Sequence, residues 1–150
     1  MNAILSIVVA GFIGGVVMQV WVQLLHKVGF TSLNLIRYLG CIPTGKKTGV
    51  LNYIAGTAIH FAISLFDGFT YSIALKLLWG NTGFIPGLLF GIIHANGSGL
   101  AIVLFDYINP CVRSNAIAPI KLYAHGYGIT AIITFMTSIL AYGATTGALL

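Results

Sequence analysis

The chain has 150 residues, of which 58% are hydrophobic and 6% charged, and its mean hydropathy is +0.99. A soluble domain carries about 25% charged residues, so this chain lacks the side chains to cover a water-facing surface. Disorder, which goes with low hydrophobicity and high charge, is excluded by the same figures, and the sequence reads as an integral membrane protein.

A hydrocarbon core about 30 Å thick is crossed by about 20 apolar residues at 1.5 Å rise each. Four segments qualify, and the expected fold is a single all-α domain over 1–150, a bundle of four transmembrane helices. The first span covers about residues 3–25 and carries no charge. The second covers 51–75, interrupted by His60 and Asp67. The third covers 84–107, with His94 inside and Asp106 at its end; the fourth covers 122–142, with His125 near its start. No alternation of the kind a transmembrane barrel needs is present. The stretches between the spans, from 26 to 50 and from 108 to 121, read as loops punctuated by Pro43, Pro110 and Pro119.

The basic residues set the direction. Lys27, Arg37, Lys46 and Lys47 lie between the first two spans, Arg113 and Lys121 between the last two, and Lys76 alone flanks the other side. The positive-inside rule then places both basic loops in the cytoplasm of a multi-pass cell-membrane protein, with both termini outside. Met1-Asn2-Ala3 has no basic region, and the apolar run that follows is longer than a signal-peptide core, so a retained span is expected. Arg37, Lys46, Lys47, Arg113 and Lys121 are expected to meet lipid headgroups, which makes nucleic-acid binding the poorer reading of the net charge of +5. Cys41 and Cys111 fall in the same loops and are expected to stay reduced there; a reversed orientation would let them bridge the loops.

Helical spacing gives every span one face that prefers protein to lipid. The first aligns Gly11, Gly15, Gln19, Gln23 and His26, the second Asn52, Gly56, His60, Ser64, Asp67 and Tyr71, and the third Gly87, Gly91, His94 and Ser98. Gly11, Gly15, Gly56, Gly87 and Gly91 are therefore expected at helix contacts, two pairs of them with GxxxG spacing.

An ionisable side chain inside a span costs about 2.5–3.5 kcal/mol on insertion scales and is a functional candidate for that reason. Depth along the helices brings His60, Asp67 and His94 together as one buried polar site, and Asp106, His125 and His26 as a second cluster near the cytoplasmic face. The histidines admit four roles: structural hydrogen bonding, a His-His-carboxylate metal site, axial ligation of haem, or a path for protons or a small solute. Their spacing does not choose among these, so a metal or haem cofactor stays open. Two motif matches fail. Gly40-x4-Gly45-Lys46 has Lys47 where a P-loop needs Ser or Thr, and the Asn96-Gly97-Ser98 sequon lies inside a span. There is no GxSxG, and two acidic residues do not support hydrolase chemistry.

Ala10-Gly11-Phe12-Ile13-Gly14-Gly15, Gly56-Thr57-Ala58-Ile59-His60-Phe61 and Leu122-Tyr123-Ala124-His125-Gly126-Tyr127-Gly128 resemble segments of the YagU-like group of small bacterial and archaeal membrane proteins. The resemblance implies four spans, with His60 and His125 at the group's habitual positions, and brings no activity with it. The function expected from all of this is a small accessory or structural subunit of a larger membrane complex, of respiratory or oxidase type, without catalysis of its own. It would be partnered by the bilayer and by other subunits or copies of itself. The alternative is a stand-alone protein that binds a metal or haem, or conducts protons or a small solute along the His60–Asp67–His94 seam.

Overall fold

A computed structural model describes residues 2–150. In chain order the helices are α1 (Ala3–Lys27), α2 (Leu35–Thr44), α3 (Val50–Trp79), α4 (Phe84–Ala101), α5 (Leu104–Ile108), α6 (Pro110–Arg113) and α7 (Ile129–Leu149), with a 3-10 turn at Leu122–Tyr127 before α7. Among the described residues, four stretches are long and apolar enough to cross a membrane: α1, α3, the α4–α5 pair over Phe84–Ile108, and α7. The expected all-α four-span bundle is the observed one.

Each span buries a narrow stripe and leaves large apolar side chains outside, as a lipid-facing helix must. On α3 the stripe is Asn52, Gly56, His60, Ser64, Gly68, Tyr71 and Leu75, while Phe66, Ile73 and Leu77 are 61–80% exposed. Backbones approach closely where glycines face each other. Gly11 meets Gly68 between α1 and α3, and Gly87 meets Gly143 and Gly147 between α4 and α7. Polar ties bind α7 to α1 and α3: Trp21 donates its indole N–H to Thr137, and the Tyr142 hydroxyl donates to the Ser64 carbonyl at 2.6 Å. Helix α7 packs along α1 and α4, and α1 along α3, whereas α3 and α4 touch little. Joined by the short turn at Gly80–Gly83, α3 and α4 splay apart toward the opposite end of the bundle.

Two expectations are corrected here. Residues 35–44 are not loop. Asn34 caps α2 by accepting from the Arg37 N–H, and the helix ends at Gly45 (φ 63°), whose N–H returns to the Cys41 carbonyl. This helix folds back on the first turns of α3, with Gly40 against Asn52 and Gly56 against the Ile36 carbonyl, close enough that a Cβ on either glycine would strike backbone. The second correction is the last span, which runs seven residues later than expected. Tyr123 (φ 53°) and Ala124 (φ 64°) are left-handed and Gly128 has φ 91°, so the apolar run from Leu122 turns sharply before α7 begins at Ile129.

The third span also breaks, at Ile102–Val103, and α5 leaves the axis of α4 there. One end of the bundle therefore holds the start of α1, the α3–α4 turn and the end of α7. The other end holds α2, α5, α6 and the 3-10 turn.

Candidate functional site

The splay of α3 from α4 leaves a cavity of about 280 Å³ inside the bundle. Its polar wall comes from His60, Ser64 and Asp67 on α3 and from His94 and Ser98 on α4; Phe135, Ile139 and Tyr142 of α7 form the back. Leu35 and Leu39 of α2, with Phe105 of α5, close the end away from the α3–α4 turn. The rest of the lining is apolar. Ile63 and Leu104 also line it while lying 38% and 63% exposed on the outer surface, so the cavity opens sideways between α3 and α4 toward the lipid.

The expected trio of His60, Asp67 and His94 shares this cavity but does not converge on one point. Asp67 Oδ2 lies 3.6 Å from His94 Nε2, an ion-pair distance rather than a hydrogen bond. On the other side of the ring, His94 Nδ1 is 3.1 Å from the Tyr71 hydroxyl. A ring whose Nε2 carries its proton toward the carboxylate accepts from Tyr71 at Nδ1, which gives the order phenol, imidazole, carboxylate. His60 sits two turns along α3 from Asp67, with its Nε2 3.0 Å from the Gly15 carbonyl. That oxygen only accepts, so Nε2 donates and holds α3 to α1.

These contacts bear on the cofactor question. Among the described residues no three His, Cys, Asp or Glu side chains gather into a set that could hold a metal ion. Both nitrogens of His94 and one of His60 already face protein groups. A bis-histidine haem would need a free nitrogen from each ring aimed at a shared iron, and His94 offers none in this arrangement.

The second expected cluster is not joined. Asp106 Oδ1 accepts from the Tyr38 hydroxyl at 2.6 Å and from the Ile120 N–H at 2.7 Å, and Oδ2 accepts from the Lys121 N–H at 2.9 Å. His26 Nδ1 lies 3.1 Å from the Thr31 carbonyl within its own loop, and exposed His125 borders a separate open hollow with Lys121 and Tyr123. Asp106 is thus an anchor between α2, α5 and the strand-like stretch before the 3-10 turn. Asn109 works beside it, donating to the Tyr38 carbonyl and accepting from the Cys111 N–H. Of the basic residues, Arg37 donates Nε–H to the Lys47 carbonyl, which ties the first turn of α2 to the loop that follows the helix. Gly11, Gly15, Gly56, Gly87 and Gly91 all face inward, although Gly91 has ordinary room around it.

Sequence reasoning missed Tyr142 and Tyr38. Tyr142 stands at the expected end of the last span, where an aromatic reads as a membrane-interface anchor. In the folded chain it lies mid-bundle, edge-on to Tyr71 with ring centroids 5.3 Å apart. No family model, curated protein or solved structure matches the chain.

The α2 end carries groups whose neutral forms the fold favours. Burial, then the hydrogen bond to the neighbouring Cys111 thiol, pushes the Cys41 thiol up to about 12. Burial also pushes the Tyr127 hydroxyl up to about 12, and burial with the Asp106 carboxylate drives Tyr38 well above the usual phenol range. The folded state holds these protons after the unfolded chain has lost them, so stability is full below the unfolded values and falls as pH rises through them. We expect Tm to be flat from about pH 7 to about pH 8.5, where an unfolded thiol titrates, and to fall continuously toward pH 12. Cys41→Ala should move the onset of that fall to about pH 10, the ordinary phenol value, in thermal unfolding followed across pH. An onset unmoved by Cys41→Ala would show that the thiol does not contribute.

Proposed function

We propose that the protein is a stand-alone four-span protein of the cell membrane that takes a small, mostly apolar solute from the bilayer into the cavity between α3 and α4. The observation that carries this reading is the cavity itself, apolar over most of its wall, open sideways to lipid, and provided with a polar pair at Asp67 and His94, the latter backed by Tyr71. Ligand sites share that make-up, a largely apolar hollow with a few convergent polar groups. The hydrogen-bonded Tyr71–His94 pair facing Asp67 gives the site a route for passing a proton when a solute binds or leaves. The basic loops around α2 and α6 face the cytoplasm in this reading, and kinship with the YagU-like group belongs to it through the Gly56–Phe61 and Leu122–Gly128 segments.

The competing reading is an accessory subunit of a respiratory or oxidase-type assembly. That reading needs small residues offered outward to a partner, whereas Gly11, Gly15, Gly56, Gly87 and Gly91 turn into the bundle. Most of the outer surface is Ile, Leu, Val and Phe, the chemistry of lipid, with Thr57, Thr70, Asn96 and Gly97 exposed among them.

Native mass spectrometry of protein extracted gently from its own membranes separates the two. The expected result is the 15.9 kDa chain, or a small multiple of it, with a retained small-molecule adduct. The adduct should be absent from Ser98→Phe, which puts a ring into the cavity. Other polypeptides in fixed ratio, with no small adduct, would overturn the proposal in favour of the subunit.

A further inference from the structure

The polar end of the cavity has a charge character that the rest of its wall does not satisfy. Asp67 is the acidic residue of the cavity wall, and its Oδ2 is turned to His94. Among the described residues its second oxygen, Oδ1, has no hydrogen-bond partner within the protein, although the side chain is only 20% exposed. Neither Lys nor Arg lines the cavity, and its remaining polar residues are His60, Ser64, Ser98 and Tyr142. Of these, His60 is committed to the Gly15 carbonyl, Tyr142 to the Ser64 carbonyl, and the Ser64 hydroxyl to the His60 carbonyl. The Ser98 hydroxyl is uncommitted but makes no hydrogen bond to Asp67, so no donor in the wall reaches the free carboxylate oxygen. A carboxylate in a low-dielectric site is costly without such a partner, and an incoming donor that also carries positive charge meets that need best.

Shape narrows the choice further. His60 and Asp67 both line the cavity seven residues apart on one face, so it runs roughly 10 Å along α3 from Asp67 to His60, and Leu35, Leu39 and Phe105 close it beyond. The polar group of the occupant sits at one end and the apolar part extends from it.

We propose that the solute is an amphiphilic amine, a single protonated nitrogen donating to Asp67 Oδ1 with an alkyl chain laid along α3 toward α2. Octylammonium has this form. An anionic amphiphile is repelled by the same carboxylate, and a neutral alcohol donates one hydrogen bond without neutralising the charge. This rests on the reading that the cavity takes up a solute from the bilayer, and adds which solute.

The test is saturable binding of tritiated n-octylamine to the purified full chain in detergent, read by scintillation proximity, with unlabelled 1-octanol and octanoate as competitors. Octanol and octanoate are expected to compete roughly 30-fold or more weakly than octylamine itself. Asp67→Asn is expected to weaken octylamine by a similar factor, and Ser98→Phe to abolish binding. The competitor series on the unaltered chain keeps the result decisive if Asp67→Asn folds poorly. Octanol competing as well as octylamine, with binding still lost in Ser98→Phe, would overturn the amine and leave the cavity reading standing. Saturable binding of neither octylamine nor tritiated octanol, or binding unaffected by Ser98→Phe, would overturn both.

Discussion

Gly87→Leu is expected to unfold the bundle or prevent its assembly. A Cβ at Gly87 would strike the Gly143 carbonyl and stand 2.8 Å from the Gly147 Cα, and both neighbours are backbone. A flexible side chain can swing away from such a contact; a helix backbone moves only by shifting the whole of α7 against α4. Overpacking of a core side chain costs about 1–3 kcal/mol where side chains absorb it, and a backbone–backbone clash lies at or beyond the upper end. Two companion variants make the test specific. Gly91→Ala sits one turn along the same face, but the nearest atoms to its Cβ are the Leu140 Cα at 3.5 Å and the Ile139 carbonyl at 3.6 Å, ordinary contact distances. It should be neutral, or stabilising by up to about 1 kcal/mol through helix propensity. Gly97→Leu meets nothing within 4 Å and should change stability little. Thermal unfolding in detergent, followed by the fluorescence of Trp21 and Trp79, gives the ranking. Equal loss in Gly87→Leu and Gly97→Leu would mean that the α4–α7 approach is not what the glycine serves.

The same glycines show how far the sequence could be read. Spacing identifies Gly87 and Gly91 as a pair for close packing but does not separate them, because their difference lies in the partner. The partner glycines, Gly143 and Gly147, fall beyond residue 142, where the last span was expected to end. Hydropathy placed that span too early because it measures transfer of side chains and is blind to backbone conformation. Leu122, Tyr123 and Ala124 are apolar enough to continue a helix, and left-handed φ at Tyr123 and Ala124 prevents it. The first three spans came out close to their observed bounds because lipid contact imposes apolar side chains over a fixed length. Helix α2 escaped for the opposite reason: ten residues are too few to cross the bilayer, and Pro43 and the flanking charges disguise it as loop.

The candidate site divides along similar lines. Depth along a helix is a local quantity, so the meeting of Asp67 with His94 is legible from counting residues on α3 and α4. Which groups satisfy Asp106 is not legible, since Tyr38 lies 68 positions before it and the Ile120 and Lys121 amides 14 and 15 after it. Charge at the end of a span suggested a cluster with His125 and His26. The fold instead gave the carboxylate three donors from two segments, and left His125 exposed.

That anchorage makes Asp106→Asn the other substitution expected to act strongly, despite its conservative size. The carboxylate accepts at Oδ1 from a phenol and a backbone amide and at Oδ2 from a second backbone amide, so all three partners are donors. An amide in its place can present only one oxygen, and in either orientation its NH2 group faces a backbone N–H it cannot bond. Hydrogen bonds to a charged group contribute about 1.5–3 kcal/mol each, and a donor left buried without a partner costs about 1–3 kcal/mol. The substitution weakens all three bonds and orphans at least one donor, so a loss of about 3 kcal/mol or more is expected, or roughly 10 °C in Tm for a chain of this length. Tyr38→Phe removes one of the three partners and keeps the carboxylate, and should lose less than half as much. The consequence reaches the cavity, because Leu35 and Leu39 of α2 and Phe105 beside Asp106 close its inner end. Loosening the anchor should therefore let α2 lift from α3, which hydrogen exchange of the Leu35–Thr44 amides would register as lost protection while α1 and α7 keep theirs. If Asp106→Asn leaves both Tm and that protection unchanged, the carboxylate does not hold α2 in place, and the closed end of the cavity must depend on the packing of Gly40 and Gly56 alone.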